Sequence, residues 1–300
     1  VASDWIEIVE VGPRDGLQNE PTILATDLKL ALIEHLIASG ARRIEAVSFA
    51  HPTHVPQMAD AEAVMAGVPR RDDVSYIGLV MNERGWHRAV AARVDEVNVP
   101  VFASDTFNER NQGVPTEESL RFLEDVVAGG RSEGIPISGT ISAAWGCPFE
   151  GEVPVPRIVA IAERMADIGV REIALGDTIG VADPWSVEER IGAVVEAIGQ
   201  GPPLRVHFHD TRSTGIANAF AAIQNGVTTI DASAGGIGGC PFAPAATGNI
   251  ATDDLVYMLD RAGFDHGYSL EGLIAVSHEL EAGLGKEVPA MLPKAGGFPR

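Results

Sequence analysis

Short apolar runs alternate along the chain with longer stretches in which apolar residues recur every three or four positions, and eight such pairs can be drawn. The runs predicted as strands are Trp5–Val11, Arg43–Ser48, Val74–Val80, Glu96–Val101, Ile135–Ser142, Glu172–Gly176, Leu204–His209 and Thr228–Ala232. The stretches predicted as helices are Asp27–Ser39, Gln57–Ala66, Glu83–Ala92, Thr116–Ser132, Pro156–Ile168, Pro184–Ile198, Thr214–Gln224 and Thr252–Ala262. Regular alternation of this kind predicts parallel strands joined by crossover helices, because parallel neighbours need a connection long enough to return to the same end. Eight units fit an α/β fold of the (β/α)8 TIM barrel type, which typically takes about 250 residues. An open doubly wound sheet is the alternative, but no strand runs directly into a Gly-x-Gly-x-x-Gly turn opening a helix. Residues 1–266 are assigned to the barrel. Residues 267–300 are read as a C-terminal helical extension packed on the barrel or on a partner subunit.

The polar residues interrupting this pattern gather at strand ends, where barrel active sites are built. Val206-His207-Phe208-His209 carries two histidines one residue apart, so a strand turns both to one face. Asp15 follows the first strand, and Asn249 closes the glycine-rich stretch after the eighth. The first, seventh and eighth strands are neighbours in a closed barrel, so one carboxylate, two imidazoles and one amide oxygen can converge. That donor mixture, with two octahedral positions left open, suits Mg²⁺ or Mn²⁺ better than a closed tetrahedral zinc site. One histidine of the pair could instead be a core residue bonded to a backbone carbonyl.

Other rim residues carry two readings each. Glu45 lies inside a buried strand and needs a partner; Arg14 supplies one, either as a plain salt bridge or as part of the chemistry. Asp177 and Thr178 either cap the turn after the sixth strand or act in the site. Cys240, held between glycine and Pro241, is read as reactive, whereas Cys147 is read as loop structure. Trp86 and Met81 are read as core.

Composition narrows the partners. A formal net charge of −20 argues against a nucleic-acid surface, since phosphate binding needs a basic patch, and an anionic substrate would need a local cluster of arginines. No apolar run reaches the ~18 residues needed to span a membrane. Two cysteines in Gly-Cys-Pro loops point to a reducing, cytoplasmic setting, with a disulfide between them as the minor alternative.

The runs Val11-Gly12-Pro13-Arg14-Asp15-Gly16-Leu17-Gln18-Asn19-Glu20, Gly146-Cys147-Pro148-Phe149-Glu150-Gly151, Gly176-Asp177-Thr178-Ile179-Gly180 and Gly236-Ile237-Gly238-Gly239-Cys240-Pro241-Phe242-Ala243-Pro244 resemble those of hydroxymethylglutaryl-CoA lyases, colinearly from about Trp5 to Gly285. The resemblance implies a metal-dependent carbon–carbon lyase acting on an acyl-CoA thioester, and a homo-oligomer, dimer or tetramer. It implies that Asp15, His207, His209 and Asn249 bind the cation, that Cys240 is the catalytic loop thiol, and that Arg14 and Glu45 form an active-site pair with Asp177 nearby. His207 is given an additional acid–base role. Gln18, Ser48, Ser104, Thr140 and Thr178 are expected to touch substrate. Three places depart from the family pattern: His209-Asp210-Thr211-Arg212-Ser213-Thr214 where His-Asp-Thr-Tyr-Gly-Gln is usual, Thr140 in place of a tyrosine, and the run from Ser104 to Gly113. All three border the expected pocket, which opens the choice to a related 3-hydroxy-3-substituted glutaryl-CoA. A condensing acyl-CoA synthase, a metal-dependent aldolase for 2-oxo acids and a non-catalytic barrel are the rival readings.

Overall fold

The computed structural model describes residues 5–239 and 248–299. Eight parallel strands, β1 (Glu7–Glu10), β2 (Arg43–Ser48), β3 (Ser75–Leu79), β4 (Glu96–Phe102), β5 (Ile137–Ser142), β6 (Glu172–Asp177), β7 (Leu204–Phe208) and β8 (Thr229–Ala232), stand in chain order around a closed barrel. Closure is made where β1 pairs with β8 in register Val9 to Asp231 and with β2 in register Val9 to Arg43. The expected (β/α)8 barrel is therefore the fold.

The helices are α1 (Thr26–Ala38), α2 (Ala61–Gly67), α3 (Glu83–Ala91), α4 (Asp105–Gln112), α5 (Thr116–Glu133), α6 (Val155–Ile168), α7 (Pro184–Ile198), α8 (Gly215–Gln224), α9 (Thr252–Ala262), α10 (Leu270–Leu284) and α11 (Leu292–Ala295). Their apolar sides and the outer strand faces share one continuous core. Two elements differ from expectation. The stretch predicted as helix over Gln57–Ala66 is split into a 3₁₀ turn at Pro56–Met58 followed by α2. Helix α4 lacks the apolar repeat that sequence reading relies on. It is set by its ends: the Ser104 side chain accepts the Phe107 N–H, and Gly113 closes it at φ 80°. After Cys147 the chain forms a small antiparallel hairpin, Gly146–Cys147 against Gly151–Glu152.

The barrel interior is polar. Arg43 of β2 reaches Glu172 of β6 at 2.8 Å and Glu96 of β4, contacts that must cross the barrel because β2 and β6 lie on opposite walls. Arg205 adds contacts to Glu172 and Asp231 at 3.4 and 3.5 Å. These charges are buried, and each has an opposite charge beside it, without which the desolvation cost would be several kcal/mol per ion. The network forms a rigid ionic floor under the residues that line the mouth.

The candidate metal centre and active site

The first turn after β1 is a π-helical turn, Gly12–Gly16, which presents Arg14 and Asp15 on successive residues. Across the barrel mouth, His207 lies in β7 just before Phe208 ends the strand, and His209 follows, bridged to Asn249 by backbone pairing. The two imidazole Nε2 atoms are 3.2 Å apart, and His207 Nε2 lies 3.9 Å from Asp15 Oδ2. Asn249 donates its amide to Asp15 Oδ2 at 2.9 Å and to the Ile237 carbonyl at 3.1 Å. One ligand atom from each of Asp15, His207 and His209 lies within 4.8 Å of the others, a spacing at which these three could hold a metal ion.

Three observations test whether a cation suits this group. His207 Nδ1 faces Asp231 Oδ2 at 3.1 Å, which holds the proton on Nδ1 and leaves the Nε2 lone pair turned toward His209 and Asp15. His209 Nδ1 is buried with no protein partner among the described residues. The Asn249 carbonyl oxygen is also buried and unpartnered. Two imidazole nitrogens at 3.2 Å beside a buried carboxylate, with a buried Asn249 amide oxygen that has no partner among the described residues, form a donor set that a positive charge would satisfy. The residues fit a divalent ion.

The electrostatics agree. Burial alone would raise the Asp15 carboxyl, but Arg14, the two histidines and the Asn249 bond hold it down at about 2. Burial depresses His209 to about 4, helped by His207, so it is a neutral ligand at neutral pH. For His207 burial works in the same direction, but the Asp231 bond and the charges of Asp15 and Asp231 outweigh it and raise the imidazole overall.

Beside this group Arg14 is clamped. It donates Nη1 to Asp15 Oδ1 at 2.6 Å and Nε to Glu45 Oε2 at 2.7 Å, with Nη2 on the same Glu45 oxygen. The other Glu45 oxygen accepts from Asn98 at 3.1 Å. The Thr140 hydroxyl donates to Asn98 Oδ1 at 2.9 Å.

The glycines nearby are there for space. At Gly238, φ is +129° and a Cβ would lie 2.6 Å from the Asn249 amide nitrogen. At Gly248, φ is +115° and a Cβ would meet the Gly236 carbonyl at 2.4 Å. Side chains at either position would push Asn249 off the cluster.

The remaining expected site residues divide. Gln18 keeps a buried Oε1 without a partner among the described residues, as a polar contact awaiting a ligand would. Four others bond to the backbone as well. Asp177 accepts the Val181 and Ala182 N–H groups at 2.9 and 3.0 Å, so it caps the turn after β6. Thr178 accepts the Ala143 N–H at 2.8 Å, and Ser48 the Ala50 N–H at 3.2 Å. Ser104 caps α4 and takes a bond from the buried Cys147 thiol at 3.0 Å. Cys240 lies outside the described residues.

Sequence reading missed three polar residues. Asp231 orients His207, and Asn98 holds Glu45. Glu10 accepts from Gly12 N, Ala234 N and Thr252 Oγ1 at 2.8–2.9 Å, tying the turn that carries Arg14 and Asp15 to the segment after β8. Each is a polar residue buried within a barrel strand, as Glu45 is.

The HMGL-like family model matches residues 5–279. Hydroxymethylglutaryl-CoA lyase of Bacillus subtilis is 40% identical over 285 residues, 95% of each chain. (R)-citramalyl-CoA lyase of Chloroflexus aurantiacus is 43% identical, with 97% of this chain and 95% of that one covered. Among solved structures, an HMG-CoA lyase from Acinetobacter baumannii in complex with coenzyme A and 3-methylmalate superposes with TM-score 0.93 at 39% identity, covering 99% and 98% of the two chains. With a family model spanning nearly the whole barrel and relatives this similar along their full lengths, the chain belongs to the HMGL-like family, among the hydroxymethylglutaryl-CoA lyases, and is an enzyme of that carbon–carbon lyase type.

Proposed function

We propose that the protein is a divalent-metal-dependent lyase that cleaves 3-hydroxy-3-methylglutaryl-CoA, or a close 3-hydroxyacyl-CoA relative, to acetyl-CoA and a 3-oxo acid. The observation that carries this reading is the orphaned Asn249 oxygen and facing histidine nitrogens beside Asp15, next to a guanidinium clamped between two carboxylates. Asp15, His207, His209 and Asn249 would hold Mg²⁺ or Mn²⁺, which when bound supplies Lewis-acid polarisation of substrate oxygens.

The chain's own residues account for the rest of a retro-Claisen cleavage. The tertiary hydroxyl loses its proton to a base as the bond between C2 and C3 breaks. The hydroxyl carbon becomes the ketone of the 3-oxo acid, and the bonding pair becomes the enolate of acetyl-CoA. A proton delivered to that enolate carbon restores the balance. His207, with Nδ1 oriented by Asp231, would offer Nε2 to the cation, so that nitrogen is not also the base that takes this proton. Arg14 is held rigidly enough to meet the negative charge that develops only as the bond breaks, where stabilisation accelerates the reaction. Cys240 is assigned the proton delivery to the enolate on the strength of its sequence motif. The cytoplasm is the proposed compartment and a homo-oligomer the proposed assembly.

The Chloroflexus relative supports a second reading of the same chemistry, with (R)-citramalyl-CoA as substrate. Purified protein with Mg²⁺ or Mn²⁺ should release acetyl-CoA, measured in a coupled assay, from a panel containing both thioesters. Release of acetyl-CoA with acetoacetate identifies the first substrate, and release with pyruvate identifies the second. Release from neither sinks both.

A further inference from the structure

The hydrogen bonds of the mouth form one unbroken line across the barrel: Thr140 on β5, Asn98 on β4, Glu45 on β2, then Arg14 and Asp15 beyond β1. Asn98 is the joint of this line. It is buried, and both ends of its amide are engaged, the nitrogen by a carboxylate oxygen and the carbonyl by a hydroxyl. Its orientation is forced, because the reversed amide would set its oxygen against Glu45 Oε1. Arg14 uses only Oε2 of Glu45, so Asn98 is what fixes the second oxygen and stops the carboxylate from rotating.

At the Thr140 end the wall carries no side chain on β6. Gly176 on β6 lies in register with His207, and a Cβ there would meet only ordinary contacts at 3.5–3.7 Å, one of them the Thr140 methyl. Its φ is not in the left-handed region, so neither backbone nor packing demands a glycine. The room left between Thr140 and His207 is therefore available to the substrate.

We infer that Asn98 is a positioning residue that couples an acyl-group subsite, walled by Thr140 and Gly176, to the Arg14–Glu45 pair. This rests on the lyase reading for its kinetic consequences, though its geometric core does not. The substituent on the hydroxyl-bearing carbon lies against Thr140, and the hydroxyl that shapes that wall also holds the amide that aims Arg14. Reading the acyl group and aiming the catalytic cation are one device.

The test uses Asn98→Leu, which keeps the volume and strips Glu45 Oε1 of its donor, and Thr140→Val, which removes one hydroxyl. Asn98→Leu is expected to lower kcat by about tenfold or more, with KM and Mn²⁺ affinity within about threefold of wild type. Thr140→Val is expected to lower kcat by a few-fold, and the double variant to be no slower than Asn98→Leu, because the hydroxyl acts through the amide. Multiplicative losses, or an Asn98→Leu enzyme with wild-type kcat, overturn the coupling. Gly176→Ala should fold normally and discriminate against the bulkier of two accepted acyl groups; unchanged selectivity overturns the subsite.

A separate readout needs no substrate. In arginine-¹⁵N-labelled protein the Arg14 Nε–H resonance, assigned by its loss in Arg14→Lys, should shift in Asn98→Leu and, in the same direction but less, in Thr140→Val. If that resonance shifts while no acyl-CoA is cleaved, the lyase reading fails and the positioning role stands. If it is unmoved in both variants, the positioning role fails whatever the substrate. Should Asn98→Leu not fold, Asn98→Ala carries the same measurement, since it too removes the donor to Glu45.

Discussion

Replacing Glu10 with glutamine should make the protein more stable at pH 8 and leave it nearly unchanged at pH 5. Burial pushes this carboxyl from 4.5 up to about 7, partly offset by the Ala234, Thr252 and Gly12 hydrogen bonds and reinforced by the neighbouring charge of Asp253. The folded chain thus keeps the proton to about pH 7, whereas the unfolded chain releases it near 4.5. Between those values the folded state binds more protons, so the Glu10 contribution to stability falls as pH rises from about 4.5 to about 7 and is constant above. The difference between about 7 and 4.5, at about 1.4 kcal/mol per pH unit, caps the effect at about 3.5 kcal/mol. Glutamine removes the charge without disturbing the geometry. Gly12 and Ala234 both donate to one oxygen, Oε1, which glutamine retains; its amide can donate to the Thr252 hydroxyl on the other side, which turns to accept. Urea unfolding of both proteins in EDTA at pH 5 and pH 8 isolates the term, because other titrations cancel in the comparison. A stability difference that is the same at both pH values, or a variant less stable at pH 8 than wild type, would refute the argument and mean that Glu10 is held ionised by its three donors.

Three further outcomes follow from the site geometry. Arg14→Gln should retain the fold and the metal while kcat drops by about 100-fold or more with little change in KM, as steady-state kinetics will read; a rise in KM alone means Arg14 only holds substrate. Gly238→Ala should cost about 1–3 kcal/mol in thermal unfolding and weaken Mn²⁺ binding, because the new Cβ displaces the Asn249 amide; unaltered Mn²⁺ affinity would count against a ligand role for Asn249. Cys240→Ser should fold and bind metal but turn over slowly, and brief alkylation of wild type should inactivate in step with modification of Cys240 rather than of the buried Cys147; full activity after Cys240 is modified excludes the thiol from proton transfer.

The barrel was legible because period-two apolar runs and period-3.6 stretches follow different geometric rules, and eight repeats leave few topologies open. Asp15, His207 and His209 were legible for the same reason: they stand where an apolar run stops, and strand alternation settles their face. Helix α4 was not, since its existence depends on the Ser104 cap and Gly113 terminator rather than on an apolar stripe. The roles of Asp177, Thr178, Ser48 and Ser104 were open for a related cause. Short polar side chains at strand ends serve backbone and substrate alike, and the backbone N–H groups they meet come from segments that sequence reading does not place. Asp231 and Asn98 escaped because their partners come from other strands, so their importance lies in barrel register rather than in any local motif.

The most direct test of the account is calorimetric titration of Mn²⁺ into EDTA-stripped protein, for wild type beside Asp15→Ala and His207→Ala. The account predicts one ion per chain in wild type and an affinity loss beyond about 100-fold in both variants, since losing a direct ligand must exceed the 10–100-fold typical of an outer partner. Wild-type affinity retained in both variants would place the metal elsewhere and contradict the proposed centre.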